Sequence, residues 1–275
     1  MRSQMEKAEA FRALHARPDA FIIPNPWDAG TAKLLAAMGF EALATTSLGL
    51  ANTLGSVTVS LDAILENCRA IAEATDLPVS ADLENCGADD PKAAARAITR
   101  AAEAGAVGGS IEDFTGDPTR PIYDFSLAVE RVQAAVEAAR ALPFPFTLTA
   151  RAENFLHGRK DLDDTIKRLQ AFEAAGADVL YSPGLYDIGT IRTVVSSVGK
   201  PFNLVMGLAD PTLTAPQLAE AGVKRISVGG AMERYALAAF LKCAREMKER
   251  GAFTYVRDMA PIAEVRKAFI AANSE

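Results

Sequence analysis

Residues 146–182 read FTLTARAENFLHGRKDLDDTIKRLQAFEAAGADVLYS. An apolar run at 146–151 is followed by an alanine-rich segment at 162–175, where apolar residues recur at helical spacing, and then by a second apolar run at 179–182. This pattern predicts a strand, an amphipathic helix and a second strand. Gly176 follows the predicted helix at the position where a left-handed residue commonly ends one. The stretch therefore predicts a βαβ unit of a parallel sheet.

The same unit recurs along the chain. Strands are predicted at 21–24, 42–46, 79–83, 107–112, 146–151, 179–182, 202–206 and 225–228, and helices include 61–74, 91–104, 126–142 and 162–175. Gly105 and Gly222 end two further helices in the same way as Gly176. Eight units favour a (β/α)8 TIM barrel formed as one domain by residues 1–275, with an additional C-terminal helical extension at about 252–275. A doubly wound sheet is disfavoured, because Asn25-Pro26-Trp27-Asp28 follows the first strand where a GxGxxG loop would be expected.

Composition narrows the classes of partner. The net charge is -6 with a pI near 5.2, so neither nucleic acid nor an anionic membrane surface is an expected partner. No apolar run approaches the length of a membrane span. Three widely spaced cysteines, with no CxxC pair and no signal-peptide pattern at the start, indicate a reducing cytoplasm. An anionic substrate would need local positive charge from an arginine or a metal ion.

Charged residues end several predicted strands, at the face where TIM barrels carry their active sites. Asp82 and Glu84 end the third strand, Glu112 the fourth and Arg151 the fifth. If the third strand stays extended, Asp82 and Glu84 point to the same side. Carboxylates on adjacent strands repel one another unless a cation lies between them, and oxygen ligands suit Mg²⁺ or Mn²⁺. Alternatively, each acid is solvated or caps a helix, and Arg151 only pairs with Glu112 or Glu153.

These residues lie within a set of motifs that resembles the isocitrate lyase and phosphoenolpyruvate mutase superfamily. The motifs cover nearly the whole chain: Asn25-Pro26-Trp27-Asp28-Ala29-Gly30-Thr31-Ala32, Asp82-Leu83-Glu84, Ser110-Ile111-Glu112-Asp113, Leu148-Thr149-Ala150-Arg151, Ala174-Ala175-Gly176-Ala177-Asp178 and Asn203-Leu204-Val205-Met206. The resemblance implies a barrel whose eighth helix is swapped between the subunits of a dimer or tetramer. It also implies that a magnesium-bound 2-oxo acid, or its enolate, is the ligand.

The resemblance also implies roles for individual residues. Asp82 would bind the metal directly, while Glu84 and Glu112 would bind it through water and Glu112 would share in catalysis. Arg151 would bind substrate oxygen and act in catalysis, and Asp28 would support the site from near the barrel floor. The remaining substrate-binding residues would be Thr46, Ser47, Leu48 and Asn203.

The loop after the fourth strand departs from this family. Family lyases carry a Lys-Lys/Arg-Cys-Gly-His sequence there, whereas residues 114–123 read FTGDPTRPIY, without lysine, cysteine or histidine. The acid that members commonly carry after the second strand is replaced by Thr58, and the strand-six histidine of some members is absent from Tyr181-Ser182-Pro183. Cleavage of isocitrate or methylisocitrate by the family route is therefore not expected. Cys86 is interpreted as packing, and His157 as an exposed loop residue that could nevertheless titrate near the mouth of the barrel.

The reaction that fits best is decarboxylation or related carbon–carbon cleavage of a small 2-oxo acid through a metal-stabilised enolate. Oxaloacetate, pyruvate and 2-oxoglutarate are the candidate ligands, and Arg151, Arg120, Thr46 and Ser47 are the candidates to bind a second carboxylate. Cleavage of a 2-hydroxy acid would also need a base, for which the loop offers Tyr123 and Asp117. Two alternatives remain: a 2-oxo acid binder with little catalysis, and a phosphonopyruvate-type hydrolase.

Overall fold

A computed structural model describes residues 2–271 of the chain. The eight predicted strands all form and pair in parallel in the order β1-β8-β7-β6-β5-β4-β3-β2. Their bounds are β1 Phe21–Ile23, β2 Leu43–Ala44, β3 Val79–Asp82, β4 Gly108–Glu112, β5 Thr147–Arg151, β6 Val179–Tyr181, β7 Phe202–Val205 and β8 Arg225–Ser227. Ala44 N donates to Pro24 O at 3.1 Å, which links β2 to the end of β1. The strands thus form the predicted barrel.

Helices alternate with the strands around the outside. Their bounds are α1 Gln4–Ala16, α2 Ala29–Ala37, α3 Ser47–Thr53, α4 Leu61–Glu73, α5 Pro91–Glu103, α6 Phe125–Arg140, α7 Leu162–Ala174, α8 Ile188–Ser196, α9 Ala215–Glu220, α10 Ala231–Arg250 and α11 Ile262–Ala271, with 3-10 turns at Met206–Leu208 and Thr254–Asp258. Gly105, Gly176 and Gly222 have φ values of 92°, 102° and 91°, which confirms their predicted left-handed conformation after α5, α7 and α9.

One predicted strand is shorter than expected, whereas the predicted C-terminal extension is helical as expected. The predicted strand 42–46 is shorter, because Thr46 accepts a hydrogen bond from Gly49 N and caps α3, so the chain turns into a helix directly after the pairing ends. The predicted extension at 252–275 consists of a 3-10 turn and α11 as far as residue 271, and positions 272–275 lie outside the described residues. α11 packs against α2.

The first helix, which the sequence reasoning did not predict, closes the amino-terminal end of the barrel. Phe11 and Leu14 pack with Phe21, Ala42 and Val107, which lie at or just before the beginnings of strands. Lys224, before β8, donates from Nζ to Pro18 O at 2.6 Å and so joins the end of this segment to the last strand. The chain therefore folds back over the floor of its own barrel.

α10 contributes little to the core of its own barrel. Of its residues only Glu233 is buried, while Tyr235, Phe240 and Leu241 leave large apolar side chains exposed. Within residues 2–271, each helix is either too short or too polar to span a bilayer. The exposed apolar side chains of α10 therefore mark a face that the described chain does not cover.

His15, on the floor helix, should make stability depend on pH. Its ring is buried edge-on between Phe11 and Phe21, and burial lowers the pKa of this histidine from 6.5 to about 3. Between those values the unfolded chain binds a proton that the folded chain does not, so stability falls as the pH falls. From pH 7 to pH 5 the wild type should lose about 2 kcal/mol more unfolding free energy than His15→Leu.

Urea unfolding of both proteins at the two pH values measures this difference. The carboxylates titrate equally in the two proteins, so their contribution cancels in the comparison. Parallel losses of stability in both proteins would contradict a neutral His15.

Candidate active site

A cavity of about 320 Å³ opens at the carboxyl ends of the strands. It is lined by residues from all around the barrel, including Asn25 after β1, Ser110 on β4 and Tyr181 on β6. The predicted site residues that line it are Thr46, Ser47, Leu48, Asp82, Glu84, Glu112, Arg151 and Asn203. The fold thus brings together all the predicted site residues except Asp28.

Arg151 lies between the carboxylates of this cavity. Its Nη1 is 2.9 Å from Asp82 Oδ1, its Nη2 3.0 Å from Glu112 Oε2, and its Nε 2.8 Å from Glu153 Oε1. The guanidinium also lies over the Tyr181 ring, 4.9 Å from its centroid. Arg151 therefore makes the ion pairs with Glu112 and Glu153 that the sequence left open as an alternative, together with a third to Asp82.

The Asp82 carboxylate is positioned by the start of α3. Ser47 donates to Asp82 Oδ2 from both its backbone N, at 3.0 Å, and its Oγ, at 2.8 Å. Asp82 N in turn donates to Thr45 Oγ1 at 2.9 Å. These bonds join the ends of β2 and β3 and direct the carboxylate into the cavity.

Glu84 reaches the cavity by a route that differs from the predicted one. The strand ends at Asp82, and Glu84 has a left-handed backbone with φ 49°, so the condition of continued extension is not met. The turn nevertheless leaves Glu84 in the cavity wall. Burial, followed by the charge of Asp82, raises the pKa of its carboxyl, and burial raises the pKa of Glu112 well above its usual range despite Arg151 alongside.

The carboxylates do not form a ready-made set of metal ligands. Within residues 2–271, no three Asp, Glu, His or Cys side chains converge closely enough for all to bind one ion directly. Asp82, Glu112 and Glu153 share a single guanidinium, so the cavity carries more negative than positive charge in its ion pairs. A hard divalent cation bound to one carboxylate and reaching the others through water fits this donor set.

Behind the cavity lies a second ionic layer that sequence reasoning missed. Asp113 is buried, accepts a hydrogen bond from Glu153 N at 2.8 Å and pairs with Arg168 Nη1 at 3.1 Å. Arg168 also binds Asp164 Oδ2 through Nε at 2.8 Å. The signal was present in the sequence, because Arg168 is a charged residue on the face that α7 buries together with Leu169 and Phe172. This layer fixes the backbone that carries Glu153.

The deep end of the cavity contains a cation without an acidic partner. Arg225 on β8 is only 4% exposed and donates from Nε to Asn203 Oδ1 at 2.8 Å, while Asn203 Nδ2 donates to Ser227 Oγ at 3.1 Å. Arg225 Nη1 is buried without an acceptor, and no ion pair to Arg225 is formed within the described part of the chain. Burial lowers the pKa of Arg225 to about 10, which leaves it charged at neutral pH. Sequence reasoning took it only as a strand residue.

The two predicted loop bases lie away from the cavity. Tyr123 is buried and donates from its hydroxyl to Asp89 Oδ1 at 2.6 Å, and burial, followed by that bond, raises the pKa of the phenol beyond the range of a base near neutral pH. Asp117 accepts hydrogen bonds from Thr119, and these lower the pKa of its carboxyl. Neither residue lines the cavity.

His157 lies on a loop near the mouth, as the sequence allowed, but it is less exposed than predicted. Its side chain is 23% exposed, lines the cavity and stacks on Phe114, with ring centroids 3.9 Å apart and an interplanar angle of 9°. The turn after β5 and the loop after β4 therefore meet at these two rings. The contact could not be anticipated from sequence, because it depends on how two loops fold over the mouth.

Three other predicted residues have clear local roles. Asp28 follows the carboxyl end of β1, caps α2 by accepting from Thr31 N at 2.7 Å, and lies outside the cavity lining rather than at the barrel floor. Leu48 is half-exposed at the cavity rim. Arg120 is mostly exposed beside Asp117, 3.9 Å away, and does not line the cavity. Cys86 is buried, as predicted for a packing residue.

Comparison with known proteins finds relatives over most of the chain. The family model described as phosphoenolpyruvate phosphomutase matches residues 11–248. A solved structure provisionally assigned as a lyase/mutase, from Burkholderia cenocepacia J2315, is 58% identical, with a TM-score of 0.94 and coverage of 97% of this chain and 96% of that one.

Two curated relatives are enzymes of named activity. The 2-methylisocitrate lyase of Escherichia coli K12 is 30% identical over 84% of this chain and 79% of its own. The oxaloacetate decarboxylase of Ectopseudomonas mendocina is 28% identical over 91% of this chain and 87% of its own. The similarity therefore extends well beyond the motifs at the cavity.

Proposed function

Because the chain belongs to the phosphoenolpyruvate mutase and isocitrate lyase superfamily, we propose that it is a Mg²⁺-dependent decarboxylase of a small 2-oxo dicarboxylic acid, with oxaloacetate the first candidate. The observation that carries the proposal is the arrangement around Arg151, where one guanidinium meets three carboxylates beside an open cavity. The named activity of the relative from Ectopseudomonas mendocina supports the choice of reaction.

The residues would divide the work of binding as follows. Asp82 would bind Mg²⁺, or Mn²⁺, directly, and Glu84 and Glu112 would reach it through water. When bound, the ion supplies a Lewis acid for the 2-oxo group and the neighbouring carboxylate. Arg151 would bind the oxo oxygen, since its guanidinium already contacts Asp82 and Glu112.

The start of α3 would bind the first carboxylate of the substrate. Ser47 N and Oγ donate to Asp82 Oδ2, and both donors lie in the cavity wall between Thr46 and Leu48. A ligand carboxylate at the first turn of a helix also gains from the orientation of the backbone N–H groups. Every 2-oxo acid carries this first carboxylate, so this part of the cavity does not discriminate among 2-oxo acids.

Discrimination would come from the deep end of the cavity. Arg225 is a buried cation whose side chain, among the described residues, forms a hydrogen bond to Asn203 alone, so a second carboxylate of the ligand would supply the counter-charge. Arg151 is already paired with three acids, and Arg120 lies outside the cavity. A 2-oxo dicarboxylate is therefore favoured over a monocarboxylate such as pyruvate.

Two other functions make different predictions in the same assay. A binder with little catalysis would take up oxalate with Mg²⁺ but leave oxaloacetate unchanged above the rate with Mg²⁺ alone. A phosphonopyruvate-type hydrolase would release phosphate from phosphonopyruvate. The proposed decarboxylase requires release of CO₂ from oxaloacetate in the presence of Mg²⁺ and loss of that release with EDTA.

We also propose a reducing cytoplasm as the location. Cys68 and Cys86 are buried, Cys243 is partly exposed, and all three are unpaired. An oxidising compartment would leave an accessible free thiol open to oxidation.

Asp82→Ala should remove metal-dependent binding while the barrel stays folded. Oxalate, a stable analogue of the 2-oxo acid head, serves as ligand in calorimetry with saturating Mg²⁺. We expect its affinity to fall by at least about 100-fold, because the direct ligand to the ion is lost from a rigid strand end. Asp62→Ala, at an exposed acid paired with Arg100, is the control and should bind as the wild type does. Equal affinity in the two variants would refute the metal site.

Arg225→Met should change which ligand binds best. With Mg²⁺ present, the affinity for 2-oxoglutarate should fall by about ten- to a hundredfold, the cost of about 1.5 to 3 kcal/mol for one charged contact. The affinity for pyruvate should change little. Calorimetry with both ligands tests this. An equal loss for both would assign Arg225 to the support of Asn203 instead of to a second carboxylate.

We further propose that the chain forms a homodimer or homotetramer through α10. This helix follows the eighth strand of the barrel and would be swapped between subunits. Tyr235 is 81% exposed and Phe240 68% exposed, although both are large and apolar. Light scattering at micromolar concentration should give a multiple of 29.1 kDa for the wild type. Phe240→Glu should shift the mass to one chain, whereas Val57→Glu, at an isolated exposed site, should not. A wild-type mass of one chain would contradict the proposal.

A further inference from the structure

We propose that His157 is the proton-transfer residue of the cavity, which exchanges a proton with the substrate carbon that gives up its carbon–carbon bond. This inference rests on the proposed decarboxylase function. It assigns a proton carrier to a site whose loop over residues 114–123 has no histidine, lysine or cysteine.

The position of His157 at the mouth supports this role. Its ring lines the cavity and is stacked in parallel on Phe114, which itself lines the cavity, so the two loops that follow β4 and β5 fix the imidazole plane. Nε2 lies 3.8 Å from Glu153 Oε2, beyond hydrogen-bond distance. Within the described residues neither ring nitrogen has a hydrogen-bond partner. Both nitrogens therefore remain available to a ligand or to water.

The charges that face His157 come from β5 and the residues just after it. Glu153 is 1% exposed, and its carboxylate accepts a hydrogen bond from Arg151 Nε at 2.8 Å. It is therefore paired with Arg151 and does not act as a proton donor to the His157 ring. Burial and the charge of Arg151 lower the pKa of His157 from 6.5. The imidazole is thus neutral at pH 7, and its protonated form is a stronger acid than a free histidine. The neutral form can accept a proton at pH 7, and the protonated form, which donates to carbon, becomes more populated as the pH falls.

The two loop residues that the sequence offered as bases are excluded by their positions. Tyr123 is bound to Asp89, and neither Tyr123 nor Asp117 lines the cavity. The chain has only one other histidine, His15, which lies on the floor helix between Phe11 and Phe21. His157 is therefore the histidine of this chain that meets the cavity.

The chemical step balances with one proton. The bond between C3 and C4 of oxaloacetate breaks, C4 leaves as CO₂, and the electron pair stays on C3, shared with the 2-oxo oxygen. Protonated His157 gives its proton to C3, which yields pyruvate. The neutral imidazole then takes a proton from water, so that one proton is consumed for each CO₂ released. The reverse transfer removes a proton from C3 of bound pyruvate.

Exchange of the C3 protons of pyruvate for deuterium, followed by NMR in D₂O with Mg²⁺, measures that reverse transfer directly. We expect His157→Gln to lower the exchange rate by about 10²- to 10⁴-fold, the usual contribution of a positioned acid or base. The affinity of His157→Gln for oxalate, measured by calorimetry with Mg²⁺, should stay within about twofold of the wild-type value. Oxalate would bind through the metal and Arg151, and its binding involves no proton transfer by His157. In the wild type, the exchange rate should increase as the pH rises and reach its plateau before pH 6.5, because the pKa of the His157 base is lowered from 6.5.

His157→Phe is the matched control for a purely structural role. It keeps an aromatic ring to stack on Phe114 but cannot carry a proton, so exchange should stay low, whereas a structural role would restore it. Exchange at the wild-type rate in either variant would overturn the proposal. If the wild type decarboxylates oxaloacetate and the variants exchange as fast as it does, only the role of His157 fails. If the wild type binds oxalate but neither exchanges pyruvate protons nor decarboxylates oxaloacetate, the proposed function fails as well.

Discussion

The mouth of the barrel depends on one guanidinium that faces several acids. Arg151 draws Asp82 from β3, Glu112 from β4 and Glu153 from its own loop into one small volume, where their mutual repulsion would otherwise push the strand ends apart. One positive charge offsets only part of this repulsion, so the site favours a ligand that brings further positive charge, such as a divalent cation. The excess of carboxylates over cations around Arg151 explains why a metal ion suits this cavity.

The architecture was predictable because it repeats. Eight apolar runs separated by amphipathic helices and closed by Gly105, Gly176 and Gly222 are local patterns, and a short-range pattern survives without knowledge of the rest of the fold. β2 was the exception, since the cap formed by Thr46 shortens it. The helix α1 was missed because its burial depends on strands far away in the chain.

The site was predictable only in part, for a related reason. Residues at strand ends, such as Asp82, Glu112 and Arg151, lie where the barrel must bring them, so the fold alone predicts their proximity. Arg225 and His157 lie at the cavity through side-chain direction and loop packing, which no periodicity encodes. The sequence therefore predicted the charged residues at the strand ends, but it did not predict that Arg225 lies deep in the cavity or that the His157 ring stacks on Phe114 at its mouth.

The floor helix has a consequence for the order in which the chain assembles. α1 is synthesised before the strands that it packs against, yet Phe11 packs with Val107 and the segment after the helix binds Lys224, 206 residues beyond Pro18. Val107 and Lys224 are not available to the helix until long after it has been made. Contacts of such long sequence separation form late, because a large loop must close first. Helix α1 is therefore made before its distant partners and completes its packing only after the strands that carry them have paired.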